Sequence, residues 1–212
     1  MEIKWIAHSC FQITSGDTVI YTDPQKTKPS MPKATIIFVS HEHYDHMDEA
    51  SISTIYDPST VVVCPKTVAD KLEAFNPTGI EPGESKEIAG INVTAVPACT
   101  FPGKKFHPRE KNWCGYVFEL EGKKLYHAGD TDLMDDMKEL QPMEIDVAMM
   151  PCGDREFTMD FKDATKACAY VQPKIFLPMH DWDQDLKPLV KLVAKEAPGV
   201  KVELIKGKTL TV

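Results

Sequence analysis

The chain has 212 residues, of which 24 are basic and 32 acidic, for a formal net charge of −8. This length suffices for a full hydrophobic core, and we expect residues 1–212 to form a single domain. The acidic surplus disfavours nucleic acid and anionic membranes as partners, and no apolar run of the sequence approaches the length of a membrane span.

Six cysteines are spread over the chain without C-x-x-C spacing, at positions 10, 64, 99, 114, 152 and 168. This usage is typical of reduced thiols and not of a disulfide-bonded secreted scaffold. The first residues also lack the charged and long apolar regions of a secretion signal. We therefore predict a cytoplasmic protein without disulfides, and the sequence leaves a homo-oligomer open.

The predicted elements begin as a β-meander. Short runs of β-forming residues come first, at residues 3–7, 10–14, 18–22 and 35–39. Ser15-Gly16-Asp17 predicts a hairpin turn between the second and third strands. Next come two predicted helices around one strand and then three more strands, at residues 48–56, 60–64, 67–75, 91–96, 115–120 and 124–127.

The last third alternates between helices and strands. Helices are predicted at residues 133–140, 160–171 and 184–196, and strands at 146–150 and 175–178. A terminal hairpin is predicted about Lys206-Gly207. Two mixed sheets packed together, with helices on both outer faces, would cover every apolar surface of these elements.

Three of the seven histidines lie within six residues, in the segment His41-Glu42-His43-Tyr44-Asp45-His46 that follows the apolar run at 35–39. Neutral imidazole nitrogens and carboxylate oxygens are the ligands that zinc, manganese and iron take. Grouping them on one short loop also lowers the cost of ordering a site. The H-x-H-x-D-H spacing therefore predicts a metal site at the end of a strand.

Two further polar signals follow predicted strands. Gly129 lets the backbone turn and brings out Asp130, whose carboxylate can bridge two cations. The other interpretation of Asp130 is the N-cap of the next helix, although Thr131 or Asp132 could serve there. His180 ends the apolar run Phe176-Leu177-Pro178-Met179, where a capped surface histidine is the alternative.

These motifs, in this order, resemble those of the metallo-β-lactamase-fold hydrolases over essentially the whole chain. Ala7-His8-Ser9-Cys10-Phe11, Thr22-Asp23-Pro24 and Pro178-Met179-His180 are similar to a small branch that includes ascorbate-6-phosphate lactonase and uncharacterised metal-dependent hydrolases. The resemblance implies an α/β (α+β) fold, a four-layer αβ/βα sandwich of two mixed β-sheets flanked by helices. It also implies a two-metal site in the cleft between the sheets.

By position, the resemblance assigns the first metal to His41 and His43. It assigns the second metal to Asp45, His46 and His180, with Asp130 as the bridge. The family's remaining histidine for the first metal usually follows the strand that here ends in Val96-Pro97-Ala98-Cys99-Thr100, where this sequence has none. We hypothesise that His107 folds back to complete the site; a Cys99 thiolate, which would favour zinc, or water are the alternatives.

Four other residues are candidates near the metals. His8 lies in a loop that the resemblance places beside them, where it could hold a substrate oxyanion or simply be a core histidine. Arg155 could bind a substrate carboxylate or phosphate, with an exposed loop arginine as the alternative. Asp23 could accept a hydrogen bond from a metal-bound histidine, and we interpret His127 as a structural residue of its turn.

The predicted reaction is hydrolysis of a small-molecule ester, lactone or phosphodiester by a hydroxide that bridges two divalent metal ions, zinc before manganese or iron. Asp45 is the predicted catalytic residue, because it binds the second metal and can steer or accept the proton. Two alternatives stay open. One is an iron-dependent redox or oxygen-handling enzyme of the same fold, and the other is a metal-binding protein without turnover.

Overall fold

The computed structural model describes residues 1–212. The strands in chain order are β1 (Glu2–Ala7), β2 (Cys10–Ser15), β3 (Thr18–Thr22), β4 (Ile36–Phe38), β5 (Val61–Pro65), β6 (Thr78–Ile80), β7 (Ser85–Ile88), β8 (Ile91–Pro97), β9 (Cys114–Leu120), β10 (Lys123–His127), β11 (Val147–Pro151), β12 (Ile175–Met179), β13 (Lys201–Val202) and β14 (Thr209–Thr211). The α-helices are α1 (Glu49–Ile55), α2 (Phe161–Val171) and α3 (Lys187–Glu196). Three 3₁₀ segments span Lys66–Phe75, Arg109–Lys111 and Asp135–Met143.

The strands form two mixed sheets of seven strands each, which confirms the predicted architecture. The first sheet has the order β14-β1-β2-β3-β4-β5-β6, and the second has the order β13-β12-β11-β10-β9-β8-β7. In each sheet one half is antiparallel and the other half is parallel. No helix combines the length and apolarity needed to cross a bilayer.

The side chains of β4 point alternately to the two faces of the first sheet, and this alternation shows how the layers form. Ile36 and Phe38 join the large core between the two sheets, where the Phe38 ring lies 5.0 Å from that of Phe118 in β9. Ile37, between them, packs in a second core with Ile52 of α1 on the outer face of the first sheet. Because successive strand residues point to opposite faces, one short strand supplies both layers.

The helices begin where the sequence supplies caps. The Asp160 carboxylate accepts hydrogen bonds from the backbone N–H groups of Lys162 and Asp163 at the start of α2. Asp48 plays the same part for α1, accepting from Ala50. Capping of this kind satisfies N–H groups that have no partner in the first turn, so the predicted starts of both helices hold to within one residue.

Several predicted elements differ from the structure. The terminal hairpin is wrong, because β13 pairs with β12 in the second sheet whereas β14 pairs with β1 in the first. Lys206 and Gly207 therefore lie in a crossing between the sheets. The two predicted helices at 67–75 and 133–140 are 3₁₀ segments, one with a break in its helical dihedral angles at Leu72 and the other containing Pro142.

Parallel pairing of the strands brings the polar residues that follow them to one end of the molecule. Asp23 follows β3 and His41 follows β4, its parallel neighbour. Asp130 follows β10 and His180 follows β12, both in the parallel half of the second sheet. Since parallel strands end at the same edge, the loops after these strands meet.

Candidate metal centre

The first histidine cluster consists of His41, His43 and His107, whose ring nitrogens lie within 4.8 Å of one another. His41 Nε2 and His43 Nδ1 are 2.9 Å apart. The ring centroid of His107 lies 5.0 Å from that of His41 and 4.8 Å from that of His43. Trp113 covers this cluster, with its ring 4.9 Å from His41.

A closed loop brings His107 to this position. Its backbone carbonyl accepts hydrogen bonds from the Thr100 N–H at 2.8 Å and from Thr100 Oγ1 at 3.1 Å. The six residues between Thr100 and His107 form a loop that these two hydrogen bonds close. The imidazole of His107 therefore lies near the end of β8. The structure thus brings His107 beside His41 and His43, as hypothesised, while its role as a ligand stays a prediction.

Cys99, the alternative ligand, belongs to neither cluster. Its thiol is buried, and burial raises its pKa despite the nearby Arg109. A metal ion would have to displace the proton of this thiol, and the thiol lies outside both groups of donors.

The second cluster consists of His8, Asp45, His46 and His180. His8 Nε2 lies 3.3 Å from Asp45 Oδ2, and the rings of His8 and His180 are 3.9 Å apart. His46 and His180 are fully buried, whereas the side chains of His8 and Asp45 keep 14% and 17% of their surface exposed. Solvent and small molecules therefore reach the second cluster from the side of His8 and Asp45.

Asp130 lies between the clusters. Its Oδ2 is 3.2 Å from His107 Nε2 in the first cluster. The same oxygen is 3.1 Å from His180 Nε2 and 3.4 Å from His46 Nε2 in the second. One buried carboxylate oxygen thus contacts three imidazole nitrogens from both clusters, while the role of Asp130 as a bridge between two cations stays a prediction.

The charges of this centre depend on one another. Burial opposes ionisation of Asp130, but the charges on His180 and His46 hold the pKa of its carboxyl well below the ordinary value. Burial likewise opposes protonation of His46, yet the carboxylates of Asp130 and Asp23 raise its pKa well above the ordinary value. The carboxylates therefore draw positive charge to the middle of the centre.

The rings of His41 and His43 are kept neutral. Burial, followed by the charge on His46, places the pKa of His41 well below the ordinary value. Burial and the neighbouring His107 lower the pKa of His43. For Asp45, burial is outweighed by the His8 contact and the charge on His46, which lower the pKa to about 2. Neutral imidazoles beside an ionised carboxylate are the forms that bind metal ions.

Asp23 orients residues of both clusters. Its Oδ1 accepts a hydrogen bond from the Ser40 N–H, and its Oδ2 accepts from Ser40 Oγ and from His46 Nδ1, each at 2.7 Å. Because the Ser40 hydroxyl donates to Asp23, it accepts from His41 Nδ1, 2.9 Å away. Both histidines therefore carry a proton on Nδ1 and turn Nε2 towards the centre, in the arrangement known to support metal ligands.

His127 has the structural position that was predicted for it. Its Nδ1 accepts a hydrogen bond from the Gly129 N–H at 3.3 Å, and its Nε2 donates to the Ser9 carbonyl at 2.9 Å. Burial lowers its pKa, so the ring is neutral. It is the one histidine outside the two clusters.

The backbone around the centre is closely packed. Gly129 has φ +61°, and a Cβ at this position would lie 2.8 Å from Ser40 Cβ. His8, Asp23 and His180 also adopt the left-handed region, at φ +43°, +39° and +51°. Such conformations cost residues other than glycine free energy and concentrate at functional sites.

The donor set fits divalent cations. The structure leaves eight buried side-chain polar atoms without a hydrogen-bond partner, and six of them belong to the two clusters and Asp130. They are His8 Nε2, His46 Nε2, both ring nitrogens of His107, Asp130 Oδ1 and His180 Nδ1. Buried polar atoms are normally paired, and imidazole nitrogens and carboxylate oxygens are suited to zinc, manganese and iron.

Arg155 makes its charged contacts with Asp160 and Asp163 and not with a residue of either cluster. Its Nε is 3.1 Å from Asp163 Oδ2, near the start of α2, and its side chain is 69% exposed. This contact corresponds to the alternative of an exposed loop arginine. Its role in substrate binding stays a prediction.

Sequence reasoning missed two parts of the site. Ser40 was not recognised as the link between Asp23 and His41, although it directly precedes the histidine motif. The shape and volume of the cavity beside His8 and Asp45, about 510 Å³, were also missed. The cavity lies partly between segments that are far apart in sequence, around Trp5, Tyr44 and Trp182, so only the fold reveals it.

Comparisons with known proteins show the family to which this chain is similar. The family described as a beta-lactamase superfamily domain matches residues 2–180. A UPF0173 metal-dependent hydrolase of Alkaliphilus metalliredigens is 34% identical over 193 residues, which are 85% of each chain. A second one, from Symbiobacterium thermophilum, is 32% identical and is matched over the full length of both chains. A solved structure from Parabacteroides distasonis, named as a candidate metal-dependent hydrolase, has 31% identity and a TM-score of 0.87, covering 95% of this chain and 90% of that one.

Proposed function

Because this chain belongs to the beta-lactamase superfamily and to its UPF0173 metal-dependent hydrolases, we propose that it hydrolyses a small ester, lactone or phosphodiester with two divalent cations. His41, His43 and His107 would hold one cation, and Asp45, His46 and His180 the other. Asp130 would contact both. The observation that carries this proposal is the single Asp130 oxygen, 3.1 to 3.4 Å from imidazoles of both clusters.

When bound, such a pair of cations lowers the pKa of water towards neutrality and polarises the oxygen of the bond to be cleaved. Zinc is our first choice of metal, before manganese or iron, because the donors are imidazole and carboxylate groups. The protein's own contribution is a largely buried donor set, oriented through Asp23 and Ser40.

Asp45 is the proposed catalytic residue. Its carboxylate is ionised at neutral pH, since the His8 contact and the charge on His46 outweigh burial and lower its pKa to about 2. It is partly exposed on the cavity side of the centre. There it can orient the attacking water and accept its proton, while His8 Nε2, 3.3 Å away, can hold the substrate oxygen or share that proton.

The cavity and the surface charge favour a metabolite as substrate. A volume of about 510 Å³ is typical of sites for small molecules and too small for a folded polymer. The net charge of −8 also works against a polyanionic nucleic acid.

The decisive experiment measures metal identity and stoichiometry in protein purified without added metal or chelator. Wild type is compared with His107→Ala and with the control Cys99→Ser, and each is assayed on an ester, a lactone and a phosphodiester. We expect two zinc or manganese ions per chain in wild type and Cys99→Ser, one in His107→Ala, and hydrolysis of one substrate class.

Other outcomes would overturn parts of this proposal. Two ions retained in His107→Ala would remove His107 from the ligand set. Iron with oxygen consumption would replace hydrolysis by redox chemistry of the same fold. Full metal loading without turnover of any of the three substrate classes would leave a metal-binding protein.

A further inference from the structure

We propose that the substrate carries an uncharged aromatic ring, which binds in the cavity between Tyr44 and Trp182 while the reacting group lies at Asp45. This inference rests on the proposed hydrolase function and narrows its substrate class. It concerns the part of the substrate that does not react.

The cavity is continuous with the second cluster. His8 and Asp45 form one side of it, and its volume of about 510 Å³ exceeds the space that a small reacting group needs. The remaining walls include three aromatic side chains, Trp5, Tyr44 and Trp182. A substrate that reaches Asp45 from this side therefore brings a further group into contact with aromatic rings.

Two of these rings are unusually exposed. The chain exposes only four large hydrophobic side chains, Tyr44 (81%), Trp182 (50%), Phe101 (48%) and Leu204 (39%). Tyr44 and Trp182, the two most exposed, both line this cavity. Large apolar side chains left in water beside a site are a mark of ligand binding, because a bound apolar group would cover them.

The loops of the centre carry these rings. Tyr44 directly precedes Asp45, and Trp182 lies two residues after His180. The Trp182 ring has its centroid 5.1 Å from that of His180 and 5.5 Å from that of His8. Its position is thus coupled to the second cluster, so an aromatic group bound there also positions the rest of its molecule.

The charges around the cavity largely pair with one another. Lys206 forms a salt bridge with Asp183, and His8 contacts Asp45. Lys26 and Asp181, the other charged residues of the lining, have opposite signs. Burial lowers the pKa of His8, which is therefore neutral, and Asp45 is one of the proposed metal ligands. The two lysines and two aspartates that remain in the lining balance, so the wall offers no reason for a charged group and favours a neutral ring, which can pack edge-to-face or stacked on Tyr44 and Trp182.

Two matched methyl esters test this inference. Methyl phenylacetate and methyl cyclohexylacetate share the reacting group and the number of carbon atoms and differ in whether the ring is aromatic. We expect kcat/KM of wild type to favour the phenyl ester. Trp182→Ala should lower that preference about 3- to 10-fold, and Trp182→Phe should restore most of it.

Binding of phenylacetamide, an unreactive analogue, is measured by calorimetry on the same proteins in their metal-loaded form. Trp182→Ala and Tyr44→Ala should each weaken binding about 3- to 10-fold. Phe101→Ala, which removes an aromatic ring of similar exposure that does not line the cavity, should leave binding unchanged.

The two readouts separate the two proposals. Binding that depends on Trp182, without hydrolysis of any ester, lactone or phosphodiester, would overturn the proposed reaction and keep the aromatic site. Hydrolysis with equal preference for both rings, or equal effects of Trp182→Ala and Phe101→Ala on binding, would overturn the aromatic site and keep the reaction.

Discussion

At the scale of single residues, Asp130 is the side chain on which both clusters depend, because one of its oxygens contacts His107, His46 and His180. A bridging carboxylate offsets charge on two cations, whereas a histidine serves one. We predict that Asp130→Asn loses both cations on dialysis and that His107→Ala loses one. Metal analysis of the dialysed variants measures this, and equal retention by the two would contradict the bridge.

Substitutions at Asp23 and Ser40 should weaken metal binding to different extents, because Asp23 orients residues of both clusters and Ser40 orients only His41. Asp23→Asn removes the charge that orients His46 and, through Ser40, His41. We predict that it weakens metal affinity at both clusters by about 10- to 100-fold. Ser40→Ala should weaken only the first cluster, because the His46 contact with Asp23 stays.

Zinc titration followed by competition with a chromogenic chelator resolves the two affinities. If Ser40→Ala weakened both sites as much as Asp23→Asn does, the hydroxyl would not be a selective link to His41.

Most of the candidate donors could be predicted from sequence, because their spacing reports on local geometry. His41, His43, Asp45 and His46 are close in the chain and cannot be far apart in space. His107 needed a hypothesis, since its position depends on the closure of a loop by Thr100, which no spacing encodes. The link from Asp23 through Ser40 to His41 was missed for the same reason, because the fold and not the spacing decides which residues of neighbouring strands form hydrogen bonds.

At the scale of elements, Asp146 ties together three strands of the second sheet. Its carboxylate accepts hydrogen bonds from the Lys124 N–H in β10 and from Lys174 Nζ just before β12, at 2.9 and 2.7 Å. These contacts outweigh burial and lower its pKa. We predict that Asp146→Asn lowers the free energy of unfolding at pH 7 by roughly 1 to 2 kcal/mol.

The pH dependence gives this prediction a second readout. A carboxyl with a lowered pKa in the folded state stabilises the protein above its unfolded pKa, and that contribution is lost as the pH falls through the folded value. The difference in unfolding free energy between wild type and Asp146→Asn should therefore shrink when the pH falls below 3.8, the ordinary pKa of an aspartate. Urea titrations at pH 7 and pH 3 measure it, and a constant difference would contradict the role of the charge.

A second element-scale prediction concerns the loop after β11. A Cβ on Gly153 would lie 2.0 Å from the His180 carbonyl oxygen, so this loop presses against the one that carries His180. We predict that Gly153→Ala displaces His180, lowers stability by about 1 to 3 kcal/mol and weakens metal binding at the second cluster. Gly199→Ala, where nothing lies within 4 Å of the added Cβ, is the control.

Helices and strands could be predicted from the sequence where apolar residues recur at the period of the element or where a capping residue marks its start. Strands β1 to β3 and β8 to β12 and the start of α2 agree with prediction to within one residue. β6 and β7 were missed because they have only three and four residues, too few to show alternation. The terminal hairpin was wrong because local turn residues cannot tell whether two strands join the same sheet.

At the scale of the whole molecule, the candidate centre connects the two sheets. His41 and His43 follow a strand of the first sheet, whereas Asp130 and His180 follow strands of the second. A cation bound between them would bind the folded state and not the unfolded chain. At a free concentration of about 100 times Kd, this adds about 2.7 kcal/mol to stability.

We therefore predict that removing metal with a chelator lowers Tm by roughly 5 to 10 °C. Adding zinc back should restore Tm, and the restored shift should be smaller in His107→Ala than in wild type. Thermal unfolding followed by circular dichroism measures these shifts, and a Tm that does not respond to chelator or zinc would argue against a cation between the sheets.

The left-handed backbone at His8, Asp23 and His180 sets a limit on protein engineering. A thermostabilisation scheme that scores backbone dihedral angles would choose glycine at all three positions, since glycine adopts this region without a steric penalty. Each of those replacements would relax the chain and delete a donor or an orienting carboxylate. A library meant to retain activity should therefore leave these three codons unchanged and seek its stabilising substitutions elsewhere.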